Sequence, residues 1–338
     1  MILVTGSNGF VGSHVVRLLD KRGERVRCFV RKNSNLVNLI EEQPLKCDVE
    51  FAYGDLRDPD SLKKALSGVK TVYHLASYVH LWYANPKEVY DINWTGTRNL
   101  FQAALEEGVD KVVFTSTAAI LKGGTRENPS DEKAVLGLGK MAGHYARSKW
   151  LAYEEAVKYI KKGLPIVTVS LTTPVGEGDY NFTPPGKMIL DYLNGRLPGY
   201  IDTVINYIDV GDVAAGHLLA EEKGKTGERY ILGADNLTLE EVFGILSEIS
   251  GRPKPKTKFS AALLLPLGFV SQKICQYVTH KEPLIPWEGL RLGGKPFAFD
   301  CSKAVKELGL PQGDVKDAFR RSAEWFYSKG YAKRGEKR

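Results

Sequence analysis

Residues 2–12 constrain the fold more than any other stretch of this chain. The run Ile2-Leu3-Val4-Thr5 leads without a break into Gly6-Ser7-Asn8-Gly9-Phe10-Val11-Gly12, which opens a helical pattern. A strand, a tight glycine turn and a helix N-terminus together make an anion site. The glycines let the backbone approach closely, and the free N–H groups of the first helical turn face the charge. Strand before and helix after raise this pattern above a lone glycine motif. Thr5, Gly6, Gly9, Phe10, Val11 and Gly12 are therefore the expected contacts of a dinucleotide pyrophosphate.

The chain continues in the same idiom. Strand-like runs at Ile2–Thr5, Arg25–Val30, Val49–Tyr53, Thr71–Leu75, Lys111–Ser116 and Ile166–Leu171 alternate with helical patterns at Gly9–Arg22, Asp60–Leu66, Asn93–Glu106 and Tyr145–Lys161. That alternation predicts βαβ units and a parallel sheet covered on both faces. Asp58-Pro59 is a helix start, Asp as cap and Pro at the first helical position. The fold expected is α/β, a Rossmann doubly wound parallel sheet with a smaller α/β substrate domain. Residues 1–174 form the nucleotide-binding domain, joined by the 204–223 strand–helix unit. Residues 175–203 and 224–330 form the substrate domain, and 331–338 a basic tail. The prolines between Gly251 and Gly294 predict irregular structure or short helices there.

Composition narrows the function. At 338 residues the chain is long enough for about two domains without covalent staples. Lys and Arg exceed Asp and Glu by 47 − 40 = 7, a mild surplus that suits anionic ligands and is no nucleic-acid signature. The four cysteines, Cys28, Cys47, Cys275 and Cys301, show neither a CxxC pair nor zinc-ligand spacing, so no metal is expected. The N-terminus leaves no room for a signal peptide, and no apolar run is read as reaching the ~18 residues of a membrane span. A cytoplasmic protein is the expectation. Leu263–Val270, flanked by Lys256, Lys258 and Lys273, is expected to pack in the core, with peripheral membrane contact as the alternative.

The second strand ends at Arg31-Lys32, where the dinucleotide pattern calls either for an acidic residue on the ribose or for an Arg beside a 2′-phosphate. Arg31 favours NADP(H) over NAD(H), because a guanidinium grips a phosphate with two parallel hydrogen bonds. Asp55 ends the third strand and is either a cofactor contact or a turn residue. Leu56, Leu75, Ala76, Ser77, Thr115, Pro174 and Val175 are further expected cofactor contacts.

Tyr145 and Lys149 stand four residues apart, on one helix face. Tyr83…Lys87 and Tyr277…Lys281 repeat the spacing, so position must choose between them. Tyr145 opens a helix between the fifth and sixth strands, whose ends should face the reacting atoms. A phenol exchanges protons at neutral pH only if its pKa is lowered, here by the Lys149 cation together with the charge of an oxidised nicotinamide. Thr117 would hydrogen-bond the same substrate oxygen, which makes Thr117, Tyr145 and Lys149 the expected catalytic residues. Tyr78, Trp82, Thr117 and Arg291 are the expected substrate contacts.

Thr5-Gly6-x-x-Gly9-x-x-Gly12, Gly54-Asp55-Leu56, His74-x-Ala76, Ser116-Thr117, Tyr145-x-x-x-Lys149 and Tyr207-Ile208-Asp209-Val210 together resemble the extended short-chain dehydrogenase/reductases, the NAD-dependent epimerase/dehydratase family. Leu81-Trp82…Asn93-x-x-Gly96-Thr97, Thr173-Pro174-Val175-Gly176 and Gly195-Arg196-x-Pro198 are similar to hopanoid-associated sugar epimerases and dihydroflavonol 4-reductase-like proteins. The resemblance implies Tyr145 as general acid/base, Lys149 on the cofactor ribose and Thr117 polarising the carbonyl, in a homodimer built on the helices at 93–106 and 145–161. Two positions depart from it. Ser170-Leu171 replaces the usual Asn-Pro, and Ile205 stands where nucleotide-sugar enzymes carry a diphosphate-binding Arg, so that either Arg291 supplies the charge or the substrate is not a nucleotide sugar. The expected function is an NADP(H)-dependent oxidoreductase acting at a secondary alcohol or ketone. The alternatives are a sugar or nucleotide-sugar epimerase/dehydratase with retained cofactor, and a non-catalytic cofactor-sensing protein.

Overall fold

A computed structural model describes residues 1–40, 45–46, 49–83, 85–279, 283 and 286–334. Cys47, Lys281 and residues 335–338 of the basic tail lie outside them.

The first half runs β1 (Ile2–Thr5), α1 (Phe10–Lys21), β2 (Val26–Val30), α2 (Val37–Ile40), β3 (Val49–Tyr53), α3 (Pro59–Leu66), β4 (Thr71–His74) and α4 (Pro86–Tyr90). A π-helical turn, Asp91–Gly96, then leads into α5 (Thr97–Glu106), β5 (Lys111–Thr117), α6 (His144–Lys161) and β6 (Ile166–Leu171). The second half runs β7 (Thr173–Val175), α7 (Pro184–Leu193), β8 (Gly199–Ile201), β9 (Val204–Asp209), α8 (Val210–Lys223), β10 (Arg229–Leu232) and β11 (Asp235–Thr238). It ends with α9 (Leu239–Ser250), β12 (Thr257–Phe259), α10 (Ala261–Ile274), α11 (Trp287–Gly293) and α12 (Val315–Ser328).

Seven strands form one sheet in the order β10-β6-β5-β4-β1-β2-β3. Every pairing in it is parallel. The strands are apolar on both faces because successive side chains point to opposite sides. Leu3, Val72 and Val112 pack under α3, α5 and α6, while their neighbours Val4, Tyr73 and Val113 pack under α1 and α8. This is a doubly wound, Rossmann-like α/β fold. Its chain order reverses between β1 and β4, where the crevice that binds ligands opens in such sheets. Asp58 caps α3 by accepting from Asp60 N–H, with Pro59 at the first helical position.

A second layer gathers β7, β9 and β11 in a small sheet, with β8 paired to β12, over a core that includes Tyr192, Tyr207, Phe243, Phe319 and Phe326. Arg229–Leu232, placed with the substrate region from sequence, pairs with β6 and closes the edge of the central sheet. Cys28 is buried in the main core, and burial pushes its thiol up to about 12.

The prolines between 251 and 294 mislead. Ala261–Ile274 is a continuous helix that runs on through a π-turn, Cys275–Thr279. Pro266 lies early in it, where the missing N–H forfeits a single hydrogen bond. Gly268 is needed for contact, since a Cβ there would sit 2.3 Å from Leu290 Cδ1 on α11. Ala261–Thr279 spans 19 residues and is long and apolar enough to cross a membrane, against the sequence reading that no such run exists. It is not core either, because only 6% of it is buried.

Candidate active site

The glycine turn fits a dinucleotide. Gly6 adopts φ +68°, and a Cβ on it would lie 2.6 Å from Ala76 N. Gly9 N–H closes the turn on Gly6 O at 3.0 Å. No side chain caps α1, and its first turn carries no acidic residue, so the helix N-terminus is open to an anion. Arg31, Lys32 and Asp55 line one cleft of about 610 Å³ at the ends of β2 and β3. Within it the Asp55 carboxylate accepts from Arg57 Nε and Nη2 at 2.9 and 2.7 Å, and that pair holds its pKa below the usual carboxylate range. Asp55 is thus engaged by Arg57 on the wall of the cleft.

Behind the turn, a hydrogen-bond chain defines the state of His74. The Thr97 hydroxyl donates to Asn93 O at 2.7 Å, so it accepts from His74 Nε2–H at 2.9 Å. His74 Nδ1 then accepts from the Thr5 hydroxyl at 2.8 Å, and the Thr5 oxygen accepts from Ala76 N–H. Burial, with the Lys149 charge nearby, pushes His74 down to about 3, which keeps the imidazole neutral. Thr5 and Ala76 are held by a buried scaffold. Leu75 N–H donates to Thr5 O, while Leu56 is buried under the π-turn against Gly96.

Thr117, Tyr145 and Lys149 converge. Tyr145 and Lys149 stand one turn apart on α6, and the Thr117 hydroxyl at the end of β5 hydrogen-bonds Tyr145. Lys149 is buried, donates to Thr115 O at 2.8 Å and sits 5.3 Å from the Phe114 ring centre. Burial pushes its pKa down to about 7. Burial also raises the Tyr145 phenol, opposed by its bond to Thr117. The lowering expected from Lys149 together with an oxidised nicotinamide is therefore not supplied by the chain's own groups alone, because the ammonium is turned onto a carbonyl and is itself desolvated. The repeat at Tyr83 and Lys87 makes no such pair, and Lys281 of the other repeat lies outside the described residues. Tyr83 is buried against Glu288, Lys87 makes an exposed ion pair with Asp91, and Tyr277 is exposed.

Thr115 approaches the site only through its carbonyl. Its hydroxyl points through the opposite face of the sheet to His217 Nε2, 2.9 Å away. Val175 is buried in the second core, beside a partly buried Pro174 on β7. The loop after β4 leans on α11: Leu81 reaches Gly289 and Tyr83 reaches Glu288, which brings the Trp82 loop and Arg291 to one wall. The Trp82 indole nitrogen is buried without a hydrogen-bond partner among the described residues. Arg291 stacks on Trp287 at 4.8 Å, and Tyr78 packs edge-on against His80.

Two residues that organise this site were not singled out from sequence. Asn93, in the π-turn, uses both ends of its amide: Oδ1 accepts from Tyr78 N–H and the Ser77 hydroxyl, and Nδ2 donates to Tyr78 O and Ser148 Oγ. Ser148 in turn donates to Tyr145 O. The segment beside the turn is thereby tied to the helix of Tyr145. A π-turn inside a helix is itself a mark of a functional position. The other residue is Glu288 on α11. Its buried carboxylate accepts from His144 N–H at 2.8 Å and from Tyr145 N–H, capping α6 from 144 residues away. Gly143 leaves the space for it, since a Cβ there would fall 1.9 Å from Glu288 Cδ.

Burial pushes Glu288 up to about 7, against an ordinary value near ~4.3. The folded state then holds a proton that the unfolded chain releases, so stability falls as pH rises through roughly 4.5 to 7. Glu288→Gln keeps the acceptor and removes the titration. We expect thermal unfolding at pH 5 and pH 8 to show the variant gaining about 2 kcal/mol on the wild type between the two. An identical pH dependence in both proteins would refute that ionisation.

The sequence profile of the NAD dependent epimerase/dehydratase family matches residues 2–233. A Synechocystis sp. protein provisionally named dihydroflavonol 4-reductase is 37% identical over 98% of this chain and 95% of its own length. Sterol demethylase protein B of Methylococcus capsulatus is 31% identical over 97% and 98%. Among solved structures, gox2253 superposes with a TM-score of 0.86 at 40% identity, over 98% of this chain and 99% of that one. DesIV, a dTDP-glucose 4,6-dehydratase from Streptomyces venezuelae with NAD and TYD bound, gives 0.77 at 26% identity over 98% of each chain. The profile match runs from β1 to β10 and spans the glycine turn and the Thr117, Tyr145 and Lys149 cluster, so this chain belongs to the NAD dependent epimerase/dehydratase family and is an NAD(P)-dependent oxidoreductase or epimerase.

Proposed function

We propose that the protein is an NADP(H)-dependent reductase acting at a ketone or secondary alcohol, with Tyr145 as general acid/base. The observation that carries this reading is the contact of the Thr117 and Tyr145 hydroxyls beside the buried Lys149. Two hydroxyls meeting at one point can both hydrogen-bond a carbonyl oxygen, polarise it and deliver the proton it needs on becoming an alcohol. Lys149, one turn further along α6, would hold the ribose and, with an oxidised nicotinamide, would favour the phenolate. The turn at Gly6–Gly12 would hold the pyrophosphate, and Arg31 with Lys32 the 2′-phosphate. NADP(H), when bound, supplies or takes up the hydride.

Ile205 favours a reductase over a nucleotide-sugar enzyme. It lies on β9 packed against the second core and bridged to Phe297, an apolar setting in place of a guanidinium. The Synechocystis relative, and cinnamoyl-CoA reductase 1 of Petunia hybrida at 31% identity over 83% of this chain, are named as reductases. The homodimer expected from the resemblance is part of the same proposal, tested by sedimentation equilibrium.

The decisive experiment denatures purified protein, identifies any released nucleotide, and titrates the emptied protein with NADPH and NADH. An empty site that prefers NADPH, with ketone-dependent NADPH oxidation, supports the proposal. Tightly held NAD points instead to an epimerase or dehydratase cycle. Arg31→Ala should weaken NADPH binding about 10- to 100-fold, the worth of a charge-assisted hydrogen-bond pair, and leave NADH nearly unchanged. Equal losses for both cofactors would remove the 2′-phosphate role.

A further inference from the structure

We infer that α10 with its π-turn is a docking helix for an anionic lipid surface, lying in the plane of the membrane. Its exposed side is an apolar stripe. Leu263, Leu267, Val270, Ile274, Tyr277 and Val278 recur at helical spacing, with Leu263 73%, Leu267 66%, Tyr277 67% and Val278 71% exposed. The opposite side is spoken for, because Gly268 meets Leu290 and Phe269 packs edge-on against Trp287 of α11. A helix held along one flank by its own protein lies on a bilayer rather than across it.

Charge selects the occupant. From Arg252 to Thr279 the chain carries five basic residues, Arg252, Lys254, Lys256, Lys258 and Lys273, and no Asp or Glu. Lys254 and Lys258 pair with Glu240, while Lys256 is exposed and Lys273 stands at the edge of the stripe over the Phe269 and Tyr277 rings. An apolar helix face edged by aromatics and Lys273, on a helix that carries no Asp or Glu of its own, matches an interface rich in anionic headgroups. A second copy stacked on the same face would bring lysines to lysines, with no carboxylate on either helix to meet them. The docking face is one helix removed from the site, since α11 both underlies α10 and sends Glu288 to the start of α6.

Flotation of the full-length protein tests this with phosphatidylcholine vesicles, with and without phosphatidylglycerol. We expect it to float with the phosphatidylglycerol vesicles, to remain below with pure phosphatidylcholine, and to be released by salt as surface charges are screened. Leu267→Glu combined with Val270→Glu should cut flotation at least about tenfold, and Lys273→Glu should weaken it. Circular dichroism and cofactor affinity of these variants should match the wild type, because the altered side chains touch neither core nor site. Failure of the wild type to float with either vesicle overturns the inference, as does undiminished flotation of the double variant. Loss of a dimer in that variant assigns the face to a second copy, and resistance of the wild type to alkaline carbonate extraction assigns the helix to a span. Either result also overturns it.

Discussion

Tyr145→Phe should lower turnover by on the order of 10³-fold while leaving NADPH affinity within about threefold of the wild type. The substitution removes one oxygen and keeps the ring, so the packing at the start of α6 persists. What is lost is the proton that a ketone oxygen must receive as hydride arrives. Thr117 cannot replace it, because an aliphatic hydroxyl is a far weaker acid than a phenol. Thr117→Ser should retain most activity and Thr117→Ala should lose it partially, which separates polarisation from proton delivery. Stopped-flow binding and steady-state turnover on the same preparations make the comparison. Unchanged turnover in Tyr145→Phe would sink the assignment. A chain that only senses its cofactor would show the same NADPH binding in both proteins and no turnover in either.

Gly12→Ala is the second large effect, and it acts through space rather than conformation. A Cβ on Gly12 would stand 2.0 Å from Gly6 O, 2.8 Å from Gly6 C and 3.1 Å from Ser7 Cα. All three are backbone atoms of the turn itself, so no flexible side chain can yield. The turn must open, and with it the spacing of the N–H groups that would meet the pyrophosphate. We expect NADPH affinity to fall by about 100-fold or more, with a loss of roughly 1–3 kcal/mol in stability from overpacking. Gly244 on α9 is the control, because a Cβ there meets nothing within 4 Å. Gly244→Ala should bind cofactor normally and gain up to about 1 kcal/mol from helix propensity. Isothermal titration and thermal melts of the two variants distinguish a crowded turn from a general intolerance of added methyl groups. Normal affinity in Gly12→Ala would show that the turn does not carry the cofactor.

Much of the architecture was legible along the chain. The turn at Gly6–Gly12, the cap at Asp58-Pro59, strands β3 and β6 and the Tyr145–Lys149 spacing all rest on chemistry between residues a few positions apart, which sequence states directly. The limits of α5 were less clear. The helix expected at Asn93–Glu106 begins in a π-turn, Asp91–Gly96, that aims Asn93 at Tyr78 and Ser148, and periodicity alone does not distinguish such a turn from an ordinary helix.

The features that sequence left open are of another kind. Thr115 was expected among the cofactor contacts, and the register of β5 turns its side chain to His217 on the far face while its carbonyl meets Lys149. Leu263–Val270 looked like core, because hydrophobic content says how much a segment gains from leaving water and nothing about which surface it meets. Glu288, Gly143 and α6 form one joint only because α11 folds back onto the helix that carries Tyr145. The sequence by itself determined the repeating strand–helix units, the glycine turn and the candidate reacting groups, since these depend on spacing and side-chain chemistry. Tertiary structure alone decided which groups meet, which are desolvated and which faces stay open, because burial and hydrogen-bond partners are set by packing between segments far apart in the chain.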